Sequence, residues 1–169
     1  LGQGSTFKVD LRAERVAGAS WVEGDQVLKA DEGPLVENGS GWVFPAARIL
    51  VVDDSPENRQ LVKLVLREYE LVVDEAENGQ VAIDLAVDTD YDLILMDVQM
   101  PVMDGLTATK LIRQWEAEQG STKLPIIALT ASVLDEDIQH CFEAGMDAYL
   151  PKPYKSHQLF ELFNDLELA

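Results

Sequence analysis

The sequence predicts an α/β domain over residues 48–169, a doubly wound parallel sheet of five strands with helices on both faces. Three observations carry that prediction. From residue 48 onward, short apolar runs alternate with amphipathic stretches of helix length. Three of the runs are nearly unbroken apolar segments, as expected of strands buried on both faces of a parallel sheet. Residues 1–47 show neither pattern.

The first predicted strand, 48–52 (RILVV), is followed by a helix over 57–68 whose Leu61, Leu64 and Val65 recur at three- and four-residue spacing. The second strand, 72–74, is short and leads into a helix over 79–87. The third strand, 93–96 (LILM), is wholly apolar and precedes the longest helix, 105–118. A fourth apolar run, 126–129, leads to a helix over 135–144. The last strand, 148–150, is followed by a helix over 156–166 with Leu159, Leu162, Phe163 and Leu166 on one stripe. Right-handed crossovers between parallel strands put the functional crevice at the carboxyl ends of the strands.

Residues 1–47 hold Gly2, Gly4, Gly18, Gly24, Gly33, Gly39 and Gly41, with turn signals at Gly24-Asp25 and Asn38-Gly39. Trp21, Val22, Val27, Leu28, Trp42, Val43 and Phe44 are too apolar for a purely solvated linker. Short strands, or a strap packed on the main domain, are both compatible with this composition.

Thirteen Lys and Arg against 31 Asp and Glu give a formal net charge of −18. Long-range repulsion then opposes binding to nucleic acid or to an anionic lipid surface, and neither is an expected partner. Cys141, the single cysteine, excludes an internal disulfide and a structural zinc site, which fits a reducing, cytoplasmic setting. No apolar run approaches the roughly 20 residues that span a bilayer, and no signal peptide opens the chain. It begins at Leu1, which fits a piece of a longer protein whose other parts could be membrane-anchored.

Asp53 and Asp54 follow the first predicted strand and Asp97 follows the third, so the fold puts three carboxylates on one sheet edge. Like charges this close raise one another's pKa unless a cation neutralises them, and oxygen-only ligation selects a hard divalent ion such as Mg²⁺. Taken singly, an Asp-Asp pair is an ordinary turn and a lone strand-end acid is ordinarily solvated. Their coincidence on one edge carries the argument. Thr130 and Lys152, at two further strand ends, add a hydroxyl and a fixed cation. A carboxylate nucleophile with metal, ammonium and hydroxyl around it is a phosphoryl-transfer site, with Asp97 as the central candidate.

The segments 48–54 (RILVVDD), 95–105 (LMDVQMPVMDG), 127–131 (IALTA) and 145–153 (GMDAYLPKP) together resemble the receiver domains of bacterial two-component response regulators, in order and spacing. The resemblance implies a flavodoxin-like strand order 2-1-3-4-5. It also implies that Asp97 is the phosphorylated aspartate and that Asp54 ligates Mg²⁺ directly, with Asp53 acting largely through water. Gln99 would supply a backbone carbonyl to the metal. Thr130 matches the family's switch hydroxyl, Lys152 its phosphate-binding lysine and Tyr149 its switch aromatic; Tyr149 also reads as a plain half-buried strand residue. Gln99 and Ser132 match positions flanking the route of attacking water and so would tune phosphoryl lifetime. The Lys152-Pro153 bond resembles the family's cis peptide. The implied donor is a histidine kinase or a histidine phosphotransfer domain. A downstream protein would read the surface of the fourth helix, fifth strand and fifth helix.

Residues 2–7 (GQGSTF) with 8–11 look like the last glycine box and closing strand of a histidine-kinase ATP-binding domain. On that reading the parent is a hybrid histidine kinase, 12–47 connect kinase to receiver, and this chain lacks the remaining nucleotide-binding elements. No output domain follows Ala169, which suits a phosphorelay receiver and no free-standing enzyme. Met100, Met103, Met146, Phe142, Phe160 and Phe163 are expected to pack, and His140 and His157 to be structural, not phosphodonors. Three rivals remain. A haloacid-dehalogenase-like phosphatase needs an acid where Gln99 stands. A flavodoxin-like electron carrier needs a phosphate cradle where 53–58 is acidic. A phosphorylation-independent pseudo-receiver has no need of the complete site.

Overall fold

The computed structural model describes residues 46–166 apart from 68 and 70. The expectations for 1–11, and for 12–45 of the connecting segment, therefore lie outside the described residues. The elements run β1 (Arg48–Val52), α1 (Pro56–Arg67), β2 (Val72–Ala76), α2 (Gly79–Asp88), β3 (Leu93–Asp97), α3 (Gly105–Gln119), β4 (Ile126–Thr130), α4 (Asp135–Ala144), β5 (Ala148–Pro151) and α5 (Ser156–Asp165). All ten predicted elements are present. The largest boundary difference is in β2, which continues through Asp74 and Glu75 to Ala76 because that strand pairs with β1 along its full length.

The sheet order is β2-β1-β3-β4-β5, with every neighbouring pair parallel. Alternation within the apolar runs explains why so few polar residues interrupt them. Ile49, Val51, Leu93, Leu95, Ile127 and Leu129 face one core, filled by Val62 and Leu66 of α1 and Leu159, Phe160 and Phe163 of α5. Leu50, Val52, Ile94, Met96, Ile126 and Ala128 face a second core with Ala82, Ala86, Ala108, Ile112 and Cys141. Each fully buried Leu or Ile contributes roughly 1.5–3 kcal/mol, so a charge almost anywhere in β1, β3 or β4 would be expelled. Only their carboxyl ends admit acids.

The inward stripe of α1 differs from the expected one. Leu61 and Leu64 are 62% and 63% exposed, while Val62 and Leu66 are buried and Val65 packs against the first core. The helix carries two apolar stripes, and the sheet takes the one that runs Val62, Val65, Leu66. Phe142 likewise lies 43% exposed on α4, and His140 and His157 are exposed on α4 and α5, so none of the three is a core residue. Met146, Phe160 and Phe163 are buried as expected.

Local signals set the helix ends. The Asn78 side chain accepts from the Gln80 and Val81 amides at 3.0 and 3.1 Å, and Asp104 accepts from Thr107 N–H at 2.8 Å. Gly145 ends α4 at φ 102°, a left-handed position suited to glycine. Behind it Arg113 of α3 donates to Gly145 O, Leu124 O, Glu116 and Asp147, tying α3 to the turn into β5. Among the described residues no helix is long and apolar enough to cross a membrane.

Candidate phosphoryl-acceptor site

Register brings the acids together. Val52 of β1 pairs with Met96 of β3, so Asp53 leaves the sheet beside Asp97, the last residue of β3. Thr130 likewise closes β4 opposite Pro151, and Lys152 follows directly. Asp97 and Thr130 thus end strands, where the sequence reading put them one residue beyond. The strand-end positions of Asp53, Asp54, Asp97, Thr130 and Lys152 are as expected.

The carboxylates of Asp53, Asp54 and Asp97 each offer an oxygen, all within 4.8 Å of one another; Asp53 and Asp97 are buried and Asp54 is exposed. A three-carboxylate oxygen set fits a hard divalent cation such as Mg²⁺, and one exposed member leaves an entry path. The chain's own cation already bridges the two buried acids. Lys152 Nζ donates at 2.7 Å to Asp53 Oδ2 and at 2.7 Å to Asp97 Oδ2.

Each group is held by a specific partner. Asp53, 1% exposed, also accepts from Ser55 N–H at 2.9 Å and from Asn58 Nδ2 at 3.1 and 3.2 Å, while Arg59 donates to its carbonyl at 2.6 Å. Arg59 also pairs with Glu75 of β2, so the loop after β1 is clamped to the neighbouring strand. Asp97 Oδ1 accepts from Gln99 N–H at 3.2 Å. Burial raises the Asp97 pKa above the ordinary aspartate value, against the opposing pull of Lys152 and the Gln99 amide. For Lys152, burial pulls the pKa down, but hydrogen bonds to Asp53 and Asp97 outweigh it and hold the ammonium above its ordinary value. Farther along the loop, burial pushes the Tyr154 phenol up to about 12.

Gly105 keeps the backbone of Asp97 in place. A Cβ there would sit 2.1 Å from Asp97 O, so the start of α3 approaches Asp97 closely only because glycine has no side chain.

The remaining expected residues are placed as follows. Gln99 is exposed beside the acids, and no carboxylate stands at its position. The Thr130 hydroxyl, 5% exposed, donates to Ser132 O at 3.2 Å and accepts from Ser132 N–H at 3.1 Å. Tyr149 is half-buried in β5, its ring edge-on to Phe142 with centroids 6.2 Å apart. Ser55, Asn58, Arg59 and Gly105 were not singled out by sequence. The first three look like any polar turn until β2 supplies Glu75, and Gly105 reads only as the last residue of the 95–105 segment and a helix start.

The profile of the response regulator receiver domain matches residues 49–164. The sensor protein GacS of Pseudomonas syringae pv. syringae is 40% identical over 137 residues, 81% of this chain and 14% of GacS, so the chain spans only a small part of that relative. The receiver domain of sensor histidine kinase PA1611 from Pseudomonas aeruginosa, whose crystal structure has a magnesium ion coordinated in the active-site cleft, is 38% identical. It superposes with a TM-score of 0.64, over 72% of this chain and 97% of that one. A chain from the co-crystal of the Saccharomyces cerevisiae histidine phosphotransfer protein Ypd1 with the receiver domain of Ssk1 is 31% identical. Its TM-score is 0.71, over 76% of this chain and 95% of its own length. With the sheet order, the three-acid cluster and the bridging lysine all in place, this chain belongs to the response regulator receiver domain family.

Proposed function

We propose that the domain accepts a phosphoryl group on Asp97 in a two-component phosphorelay. The observation that carries this reading is the position of Lys152, whose ammonium bridges Asp53 and Asp97 at 2.7 Å each within the three-carboxylate cluster. A carboxylate oxygen of Asp97 attacks phosphorus; the bond from phosphorus to the donor's imidazole nitrogen breaks, and the released imidazole is reprotonated from solvent. Mg²⁺ held by Asp53, Asp54, Asp97 and the Gln99 carbonyl would supply positive charge toward the transferring oxygens. Lys152 stays protonated and offers an N–H to an equatorial oxygen, and Thr130 can rotate to donate to another.

The phosphodonor is the phosphohistidine of a kinase or a phosphotransfer domain, a reading supported by the Ypd1 co-crystal for that receiver. Once Thr130 moves, Tyr149 follows into the vacated space, and a partner protein reads the altered face of α4, β5 and α5. The parent is a hybrid histidine kinase, with residues 1–11 the end of its ATP-binding domain and 12–47 the connection. Similarity to GacS supports this: it covers 81% of the chain, more than residues 48–169 hold. Gln99 and Ser132 set how long the phosphoryl group lasts.

Incubation with Mg²⁺ and acetyl phosphate should add one acid-stable, base-labile phosphoryl group, read by intact mass. Equal labelling of Asp97→Asn, or none in the wild type, would overturn the reading.

A further inference from the structure

Thr130 is not free to meet a phosphoryl group. Both hydrogen bonds of its hydroxyl go to the backbone of Ser132, and its side chain is buried at the end of β4. To donate to an oxygen on Asp97 it must give up the Ser132 carbonyl, so the strength with which Ser132 is held enters the free energy of the switch.

Ser132 is fixed from its far side. Its hydroxyl donates to the carboxylate of Asp137, in the first turn of α4, and accepts from Leu134 N–H at 3.3 Å. The helix has no side-chain cap at Leu134 itself. The Ser132 hydroxyl therefore accepts from the amide of the N-cap residue itself, one of the amides at the start of α4 that have no partner within the helix. Asp137 also lines the cleft shared with Val98, Gln99, Met100 and Asp104, beside the acceptor loop. Ser132 thus joins the two groups, its hydroxyl bonded to the α4 carboxylate and its backbone to the Thr130 hydroxyl.

Given the phosphoacceptor role of Asp97, we infer that Asp137 is a positioning residue that holds Thr130 in its unphosphorylated arrangement through Ser132. Among the described residues the Asp137 side chain hydrogen-bonds to Ser132 and not to Asp53, Asp54 or Asp97. Its effect falls on the step in which Thr130 changes partner. The bias is thermodynamic: a ligand that requires Thr130 to turn inward binds more weakly while the Asp137–Ser132 bond is intact. Removing that bond frees loop 131–134 and lowers the cost of the turn.

The test uses beryllofluoride, a phosphoryl mimic that engages the acceptor carboxylate with Mg²⁺, titrated calorimetrically into the full chain. Asp137→Ala should bind beryllofluoride about twofold to tenfold more tightly, the range expected when a single exposed hydrogen bond opposing the bound state is lost. Affinity for Mg²⁺ alone, which does not require Thr130 to move, should stay at the wild-type value. Asp137→Asn keeps an acceptor oxygen for Ser132 and should return the beryllofluoride affinity most of the way to wild type. Ser132→Ala removes the same link from its other end and should match Asp137→Ala. A wild type that fails to bind beryllofluoride sinks the phosphoacceptor reading itself. A wild type that binds it, with Asp137→Ala and Ser132→Ala at unchanged or weaker affinity, sinks only the role of Asp137.

Discussion

Replacing Lys152 by methionine removes the ammonium while keeping a stem of comparable length. Two carboxylates with 1% and 9% side-chain exposure then lose their shared cation, and each loses a 2.7 Å charged hydrogen bond. Breaking a fully buried pair costs roughly 3–5 kcal/mol. Lys152 is 22% exposed, so water screens part of the loss, and a figure of about 2 kcal/mol without Mg²⁺ is the working value. Mg²⁺ should reverse that loss. The metal no longer competes with an internal ammonium for the Asp53 and Asp97 oxygens, so it binds the variant more tightly and stabilises it by mass action.

Two opposite signs follow from one substitution. In urea melts the variant should be the less stable protein without Mg²⁺, and its gain on adding millimolar Mg²⁺ should exceed that of the wild type. In acetyl phosphate labelling at saturating Mg²⁺ it should be slower by about 10²–10³-fold, the cost of losing one preorganised donor to the transferring oxygens. Melts in which the wild type gains more from Mg²⁺ than the variant would refute the competition argument. Unimpaired labelling would remove Lys152 from phosphoryl transfer.

Gly105→Ala should cost more than 2 kcal/mol in chemical denaturation, since its Cβ would stand 2.1 Å from the Asp97 carbonyl, and folded variant should label poorly because the acceptor backbone is displaced. Asn58→Ala should weaken Mg²⁺ binding severalfold in calorimetry, the worth of its hydrogen bonds that orient the Asp53 carboxylate; unchanged affinity would remove Asn58 from the site. Burial holds the Tyr154 pKa at about 12, above the ordinary tyrosine value of 10.0, so the fold favours the neutral phenol. That contribution is fully present below pH 10 and lost as pH rises toward 12. In an absorbance titration of phenolate, Tyr154→Phe should delete the latest-titrating component.

Most of the scaffold was legible because β1, β3 and β4 are buried on both faces and tolerate almost nothing but apolar residues. The same burial made their polar ends conspicuous, and with them Asp53, Asp97 and Thr130. Residues whose meaning depends on a distant partner were not legible. Arg59 gains its role from Glu75 on β2, and Asn58 from the buried oxygens of Asp53. In α1, periodicity offered both Leu61 with Leu64 and Val62 with Leu66, and only the sheet's position chooses between them. The rotation of the Thr130 hydroxyl toward Ser132 belongs to the loop after β4, whose backbone has no periodic signature.

Why a lysine bridges this site follows from the strand order. Lys152 leaves β5, and the acids it reaches leave β3 and β1, so its stem must pass over the end of β4 where Thr130 sits. Its backbone N–H donates to Thr130 O at 2.7 Å, which fixes the root of that stem. At the tip, an ammonium offers three donors on a compact charge; two go to Asp53 and Asp97, and on the proposed function the third serves a phosphoryl oxygen. A guanidinium of the same charge is planar and wider, and its donors suit one carboxylate in a fork better than two carboxylates on different strands. Lys152→Arg should therefore keep the charge balance and most of the stability, yet lose a large part of the labelling rate. Donor geometry, and not charge alone, is then what the end of β5 contributes to Asp97.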